Sequence, residues 1–155
     1  MNEIRISPLD PQALAPLTEL LELQMREHGV KSSRDILRAA LIVLRTQPEQ
    51  GFVLSATCDH SMVGVAYAAR ILSLEHGGWS GWLEELYILP QWRGRGAGSQ
   101  LLAAVIAGAA ERGWAALDLE VDVNHQRVIP LYTRHLFEPV NRTRFVRRLR
   151  APPAA

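Results

Sequence analysis

The stretch from Trp82 to Arg112 constrains the fold of this 155-residue chain more than any other part. Its first part, Trp82–Leu89, carries aromatic and β-branched residues that favour a β-strand. Pro90 ends this strand because proline has no N–H group to donate to a neighbouring strand. Apolar residues then recur at helical spacing, which predicts a helix over about residues 97–112. The sequence therefore predicts a strand, a turn and a helix in direct succession.

The turn between this strand and this helix is dominated by glycine. Residues 93–98 read Arg-Gly-Arg-Gly-Ala-Gly, so few side chains shield the backbone N–H groups at the helix start. Such a turn at the positive end of a helix suits a phosphate group. A nucleotide P-loop requires a lysine that does not follow here, and the dinucleotide fingerprint requires a different glycine spacing. An ordinary glycine-rich turn without a ligand is the remaining alternative.

The residues of this turn also carry a resemblance to a known family. Arg93, Gly96 and Gly98 match the pattern Gln/Arg-x-x-Gly-x-Gly/Ala, directly after a Leu-Tyr-Ile-Leu-Pro strand end. In this respect the chain resembles the GCN5-related N-acetyltransferase (GNAT) superfamily. The resemblance implies an α/β acyltransferase fold, with a mixed central β-sheet flanked by helices. It also implies acetyl-coenzyme A (acetyl-CoA) as the co-substrate and no metal.

The rest of the chain fits the element order of that fold. Apolar and alternating runs predict further strands at residues 3–7, 52–57, 62–72, 117–123 and 145–149. Cap and stop signals predict three other helices, from Asp10 to Gly29, from Ser32 or Ser33 to Pro48, and from Asn124 to His135. The predicted order is β-α-α-β-β-β-α-β-α-β. We expect a single domain over residues 1–150 and a disordered tail at 151–155.

The resemblance implies a cofactor site made of the strand end, the glycine turn and the later helix. The implied residues are Leu86, Tyr87, Ile88, Leu89, Arg93, Gly94, Arg95, Gly96, Ala97, Gly98, Ser99, Asn124, His125 and Tyr132. Family members usually have asparagine seven residues before the tyrosine. Here His125 occupies that position and Asn124 stands one residue earlier, so the sequence leaves open which of them contacts the cofactor.

The resemblance also implies a catalytic base. An amine with a pKa of about 10.4 is protonated at neutral pH, so a base must free it before it attacks the thioester. The family places a carboxylate on the strand before the glycine turn, which corresponds to Glu84, with Glu85 as the alternative. Because side chains alternate along a strand, we expect only one of the two to face the acceptor cleft, and we favour Glu84. A surface carboxylate without a catalytic role is the alternative for either residue.

Two further groups complete the implied chemistry. A backbone N–H group at Ile88 or its neighbour would stabilise the oxyanion. Tyr132, in the family's Leu-Tyr pattern, would protonate the departing thiolate, although a tyrosine on such a helix can also be a core residue. Pro130 should bend this helix or start a new turn. Leu136 replaces the glycine that family members have before the phenylalanine, here Phe137, so we expect a different helix cap.

Composition and charge argue against several other classes of function. The net charge of +1 and the pI near 8.0 do not favour nucleic acid or an anionic membrane as a partner. No run reaches the roughly 18 apolar residues of a membrane span, and the first residues do not resemble a signal peptide, so we expect a cytoplasmic protein. The single cysteine, Cys58, allows no internal disulfide and is expected to be buried or half-buried and inert, and the 5 histidines lack metal-binding spacing.

The acceptor is the least constrained part of the prediction. Glu27 and His28 end the first predicted helix, and Glu75 and His76 precede the core strand, in regions that commonly line the acceptor side in this superfamily. Acidic residues there favour a cationic amine, although exposed loop carboxylates are more often only solubilising. We expect direct acetyl transfer to a primary amine of a small molecule. A protein or peptide N-acetyltransferase and a non-catalytic acyl-CoA sensor are the alternatives, and an exposed last strand favours a homodimer.

Overall fold

The computed structural model describes residues 3–150, and its centre is a five-stranded sheet in the order β1-β2-β3-β4-β5. The first four strands pair antiparallel, and β5 is parallel to β4, so the sheet is mixed as predicted. The strands are β1 (Arg5–Pro8), β2 (Gly51–Cys58), β3 (Ser61–Ser73), β4 (Gly78–Ile88) and β5 (Leu117–Asp118). The helices are α1 (Leu14–Glu27), α2 (Arg34–Thr46), α3 (Ala97–Glu111) and α4 (Ile129–Arg134).

The helices cover both faces of this sheet. On one face, Leu17 of α1 and Leu41 of α2 pack in a cluster with Val65 of β3. On the other face, Leu101 of α3 packs in a second cluster with Ala66 of β3. Successive residues of β3 therefore face opposite layers, which is the alternation expected of a strand that is buried on both sides.

Local sequence signals set most helix ends and turns. The Ser33 hydroxyl accepts the backbone N–H of Ile36 and so caps α2, as predicted. Gly29 follows α1 with a φ of +66°, in the left-handed region that glycine favours. Asp59 and His60, between β2 and β3, both have positive φ, which fits a tight hairpin turn. Cys58 is buried, as expected.

Two of the predicted strands differ in the structure. The strand expected at 117–123 pairs with β4 only over Leu117–Asp118, because the two segments separate beyond that point. Residues 145–149 form no strand, because no strand of the described chain supplies the backbone partners that a strand needs. The side chains of Phe145 and Leu149 are each 90% exposed. The tail predicted at 151–155 lies outside the described residues.

The helix around Tyr132 is interrupted near its middle. A 3₁₀ segment, Val123–Val128, comes first, and the Asp122 carboxylate caps it rather than the predicted Asn124. Pro130 lies in the first turn of α4, so it starts a new helix as expected. Leu136 follows α4 with a φ of +64°, in the left-handed region that glycine favours, and the Phe137 N–H donates to the Tyr132 carbonyl. The helix therefore ends in a left-handed cap despite the leucine, and the expectation of a different cap was wrong. Within the described residues, no helix is both long enough and apolar enough to span a bilayer.

Candidate functional site

The candidate site lies where β4 and β5 diverge. These strands pair only at Gly81 with Leu117 and at Trp82 with Asp118. Beyond Trp82, the β4 edge faces an open cavity of about 690 Å³. The end of β4, the glycine turn, the end of α1 and the chain from 120 to 134 line this cavity.

The glycine turn forms one end of the cavity. Gly94 and Gly96 have φ values of +73° and +83°, in the left-handed region. Helix α3 then begins at Ala97, with no side chain of residues 3–150 capping it and no acidic residue in its first turn. Gly98 lies between β4 and α4, since a Cβ there would be 3.8 Å from Ile88 and 3.7 Å from Leu131. The first N–H groups of α3 are therefore available to an anion such as a phosphate.

Most of the predicted cofactor residues meet in this cavity. Those that line it are Leu86, Tyr87, Ile88, Arg93, Gly94, Gly96, Gly98, Ser99, His125 and Tyr132. The others are not among the lining residues: Leu89 packs beside the α1 cluster, Ala97 is buried, Arg95 stacks on Trp92, and Asn124 belongs to the 3₁₀ segment. Of the two alternatives at the family's asparagine position, His125 is therefore the one that faces the cavity.

Three arginines of the cavity wall were missed by the sequence analysis, namely Arg127, Arg134 and Arg144. The spacing of seven residues between the first two is a signal that could have placed both on one helical face. They add positive charge that suits a phosphate. The Ser99 hydroxyl and His135 Nε2 are 2.8 Å apart, and this contact ties the start of α3 to the end of α4.

Arg93 connects the glycine turn to α1. Its Nε donates to the Ile88 carbonyl at 2.9 Å, and its Nη2 donates to the Glu27 carboxylate at 2.8 Å. The Tyr87 hydroxyl also donates to Glu27, at 3.0 Å. The hydrogen bond from Arg93 lowers the pKa of Glu27, despite the opposing effect of burial. Glu27 thus lies in the cavity as predicted, but its charge is already paired.

Glu84 and Glu85 both line the cavity, whereas regular alternation would turn only one of the two side chains towards it. The reason is a β-bulge. Tyr67 of β3 lies opposite Glu85, and the next residue, Ala68, lies opposite Leu83, which leaves Glu84 without a partner. The bulge breaks the alternation that the sequence analysis assumed. Leu83 packs on the α3 side and Tyr67 on the α1 side, so both glutamates belong to the α1 face of β4.

The two glutamates have different environments. Glu84 is exposed and has no ion-pair partner among the described residues. Glu85 is largely buried, and Gln24 of α1, itself 2% exposed, donates a hydrogen bond from Nε2 to Glu85 Oε2. Burial, together with the neighbouring Glu84 carboxylate, raises the pKa of Glu85 to about 7, and the hydrogen bond from Gln24 opposes this shift. Such a carboxyl group exchanges a proton near neutral pH.

Tyr132 faces the cavity from α4. Its ring packs edge-on against Phe137, with 5.8 Å between the ring centroids, and contacts the cluster beneath α3. Burial raises the pKa of the Tyr132 phenol, so its proton is retained at neutral pH. Tyr132 therefore packs against the core and also lines the cavity, so the two interpretations of the sequence do not exclude each other.

The predicted acceptor residues separate into two groups. Glu27 and His28 line the cavity. The His28 ring stacks at an angle on His125, with centroids 4.6 Å apart, and burial together with His125 lowers the pKa of His28. Glu75 and His76 are not among the lining residues. Glu75 pairs with Arg142, and His76 Nε2 lies 2.8 Å from the Asp118 carboxylate, at the far end of β4.

The chemistry that these groups allow is a proton transfer beside a bound phosphate ligand. The α3 N-terminus attracts an anion at the end of the cavity formed by the glycine turn, while Glu84 and Glu85 lie beyond the middle of β4. Among residues 3–150, no three histidine, cysteine, aspartate or glutamate side chains cluster as metal ligands would.

Comparison with known proteins agrees with this geometry. Residues 15–137 match the model of the acetyltransferase (GNAT) family. An integron cassette protein from a salt-marsh metagenome superposes with a TM-score of 0.85 at 24% identity, covering 95% of this chain and 91% of that one. The aminoglycoside N-acetyltransferase AAC(6')-Iy, in complex with CoA, superposes with a TM-score of 0.82 at 20% identity, covering 96% and 97%.

A third similar structure is that of an enzyme named for a protein substrate. The ribosomal-protein-alanine N-acetyltransferase from Brucella melitensis biovar Abortus 2308 has a TM-score of 0.76 at 20% identity, covering 95% of this chain and 99% of that one. The TM-scores of these structures establish a shared fold, and the fold class predicted from the sequence is confirmed.

Proposed function

Because this chain belongs to the acetyltransferase (GNAT) family, we propose that it transfers the acetyl group of acetyl-CoA directly to a primary amine of a cationic small molecule. One observation supports this most strongly. A single cavity contains a helix N-terminus for the cofactor phosphates, the buried carboxyl group of Glu85 and the phenol of Tyr132. The helix N-terminus suits acetyl-CoA, and Glu85 and Tyr132 can serve as the base and the acid that acetyl transfer requires.

The proposed reaction assigns one proton to each of these side chains. The Glu85 carboxylate removes a proton from the acceptor ammonium, and the freed nitrogen attacks the thioester carbonyl. A backbone N–H at the end of β4, at Ile88 or its neighbour, stabilises the oxyanion. When the C–S bond breaks, the Tyr132 phenol gives its proton to the thiolate, and the CoA thiol leaves. The new amide nitrogen loses its second proton to the phenolate of Tyr132, which restores the phenol.

We propose that Glu84 selects the charge of the acceptor. Glu27 is paired with Arg93, and Glu120 is paired with Arg144, whereas Glu84 has no ion-pair partner among the described residues. An exposed carboxylate beside the proposed base attracts a second cationic group of the acceptor. The similarity to an aminoglycoside N-acetyltransferase supports a polycationic amine as the first acceptor to test.

Two other functions remain to be distinguished. The similarity to a ribosomal-protein-alanine N-acetyltransferase supports a protein N-terminus as the second candidate acceptor. A non-catalytic acyl-CoA sensor would need only the glycine turn and α3, and it would tolerate replacement of both Glu85 and Tyr132.

The deciding experiment is a titration with acetyl-CoA by calorimetry, followed by thiol release with four acceptors: an aminoglycoside, a linear polyamine, a neutral primary amine and an alanine-initiated peptide. We expect acetyl-CoA to bind and turnover to be fastest with the two polycations. Glu85→Gln and Tyr132→Phe should each lower kcat by about 10²- to 10⁴-fold without weakening acetyl-CoA binding. Turnover of the peptide alone would indicate the protein acceptor. Binding without turnover in all four cases would favour the sensor.

We further propose that residues 1–150 act as one cytoplasmic domain that forms a homodimer. Both apolar clusters share the same sheet, which supports one domain. The exposed apolar side chains of Phe145, Val146 and Leu149 support a contact with a second copy, because neighbouring exposed apolar groups are stabilised by burial against a partner.

A further inference from the structure

We infer that Gln24 is a positioning residue for Glu85, whose side-chain amide serves as hydrogen-bond partner to the carboxylate and to the carboxylic acid in turn. The inference rests on the proposed function, in which Glu85 is the base. Gln24 lies 61 residues from Glu85 in sequence, near the end of α1, and also lines the cavity. Its Nε2 donates to Glu85 Oε2.

The inference is based on the side-chain oxygen of Gln24, which makes no hydrogen bond within the described part of the chain. Gln24 Oε1 is buried and has no hydrogen-bond partner among the described residues. A buried acceptor without a partner is uncommon and requires an explanation. Glutamine has one donor group and one acceptor group, so rotation of the amide by about 180° would bring Oε1 to Glu85. The amide can therefore form a hydrogen bond with either protonation state of the Glu85 carboxyl group.

The reaction places Glu85 in both of these states. Before transfer, the carboxylate accepts the hydrogen bond from Gln24 Nε2. When Glu85 takes a proton from the acceptor ammonium, an N–H bond breaks, an O–H bond forms, and the nitrogen keeps its electron pair. The new O–H group can then donate to Gln24 Oε1 once the amide has turned. Arginine or lysine at position 24 would favour only the carboxylate, whereas glutamine serves both states.

Few other groups compete for the Glu85 proton. Glu84 is its neighbour on β4, and Tyr67 faces it from β3. Tyr87 lies two residues along the same face, but its hydroxyl donates to Glu27, which Arg93 neutralises. Gln24 is the side chain of α1 that bonds to Glu85. A hydrogen bond to the charged carboxylate is stronger than one from the neutral acid, so Gln24 lowers the pKa of Glu85 although it can bond to both states. Its removal should therefore move the titration of Glu85 to higher pH.

The test compares Gln24→Met, which has a similar volume and no amide, with wild type. We expect the midpoint of the acidic limb of kcat/KM to rise by about one pH unit, so that the variant is severalfold slower at pH 7 and recovers above pH 9. The KM for acetyl-CoA should not change. Gln24→Glu, which also keeps the volume, should move the limb in the same direction because it adds a second carboxylate.

A direct titration removes the dependence on turnover. In ¹³C spectra, the Glu85 carboxyl signal should titrate near pH 7 in wild type and about one unit higher in Gln24→Met. The side-chain NH₂ signals of Gln24 should shift with the Glu85 midpoint in wild type. The matched control is Thr18→Val, which removes another α1 polar group that is 2% exposed, bonded to the Leu14 carbonyl at 2.7 Å and outside the cavity. It should leave both titrations unchanged.

Different experimental results would overturn the inference about Gln24 and the proposed function. A folded Gln24→Met variant with a wild-type pH profile and a wild-type Glu85 titration would overturn the role of Gln24. Full activity in Glu85→Gln would instead overturn Glu85 as the base. If no amine is acetylated, the ¹³C titration still decides whether Gln24 controls the protonation of Glu85.

Discussion

Glu84 and Glu85 are adjacent in sequence and lie on the same face of β4. The bulge opposite Tyr67 and Ala68 removes the alternation that would have separated them. Glu84 is exposed, whereas Glu85 is largely buried and hydrogen-bonded to Gln24. Two carboxyl groups of the same chemistry can therefore have different roles, since burial raises the pKa of Glu85 to about 7.

The first prediction separates these two residues by their kinetics. Glu84→Gln should raise the KM for a polycationic acceptor by about 3- to 10-fold and leave kcat close to wild type, because it removes a charge that binds the acceptor before and during reaction alike. Glu85→Gln should lower kcat instead. Steady-state rates with an aminoglycoside and with a neutral amine check this. If Glu84→Gln lowers kcat equally for both amines, then Glu84 takes part in the proton transfer.

The second prediction concerns the pH dependence of stability. The pKa of Glu85 is about 7 in the folded protein against 4.5 ordinarily, so the folded state binds this proton more tightly. The contribution of this bound proton to the free energy of unfolding is complete below about pH 4.5 and is lost as the pH rises through about 7. The Glu85→Gln variant should therefore gain about 2 kcal/mol relative to wild type between pH 5 and pH 8. Urea unfolding at both pH values measures this gain. Glu84→Gln should show a smaller gain, because it removes only the neighbouring charge that helps to raise the pKa of Glu85.

The third prediction tests the phosphate site without straining the backbone. Gly96 has a φ of +83°, so any substitution there would also distort the turn. Gly98 has no such constraint, and its Cβ would enter the space between Ile88 and Leu131. We expect Gly98→Val to weaken acetyl-CoA binding by at least about tenfold in calorimetry, because a side chain there blocks close approach to the backbone. Gly78→Val, at a site with open space around it, is the control and should bind as wild type does.

The fourth prediction concerns the end of α4. Leu136 is 88% exposed, so its side chain contributes little burial, and its φ of +64° disfavours any residue with a Cβ. Leu136→Gly should stabilise the protein by about 0.5–1 kcal/mol, which is the relief of strain minus the extra chain entropy of glycine. Denaturant unfolding measures this effect. Leu136→Ala removes the same side chain but keeps the strained backbone, so an equal gain in that variant would disprove the explanation.

The fifth prediction tests the proposed homodimer. The segment around Phe145 is held to its own chain by ion pairs from Arg142 to Glu75 and from Arg144 to Glu120, while its apolar side chains face outwards. Sedimentation should show a dimer for wild type and a folded monomer for the double variant Phe145→Glu with Leu149→Glu. Ile36→Glu, at an exposed apolar site on α2, should remain a dimer. A wild-type monomer at micromolar concentration would contradict the proposal.

The sequence by itself determined the central unit of this protein. The run of Trp82–Leu89, the stop at Pro90 and the glycines of the turn act through local backbone preferences, which need no distant partner. For the same reason the cap at Ser33 and the turn at residues 59–60 were predictable. The family resemblance followed from this local unit and named the residues around it.

Only the tertiary structure decided how the proposed catalytic face is arranged. The bulge at Glu84 depends on how β3 pairs with β4, and the partner of Glu85 comes from a helix 61 residues away. The prediction of a last strand at residues 145–149 was wrong for a related reason. An apolar pattern indicates a strand only where another strand is present to pair with it. Strand register, burial and long-range hydrogen bonds arise from the packing of distant segments, and no local pattern specifies them.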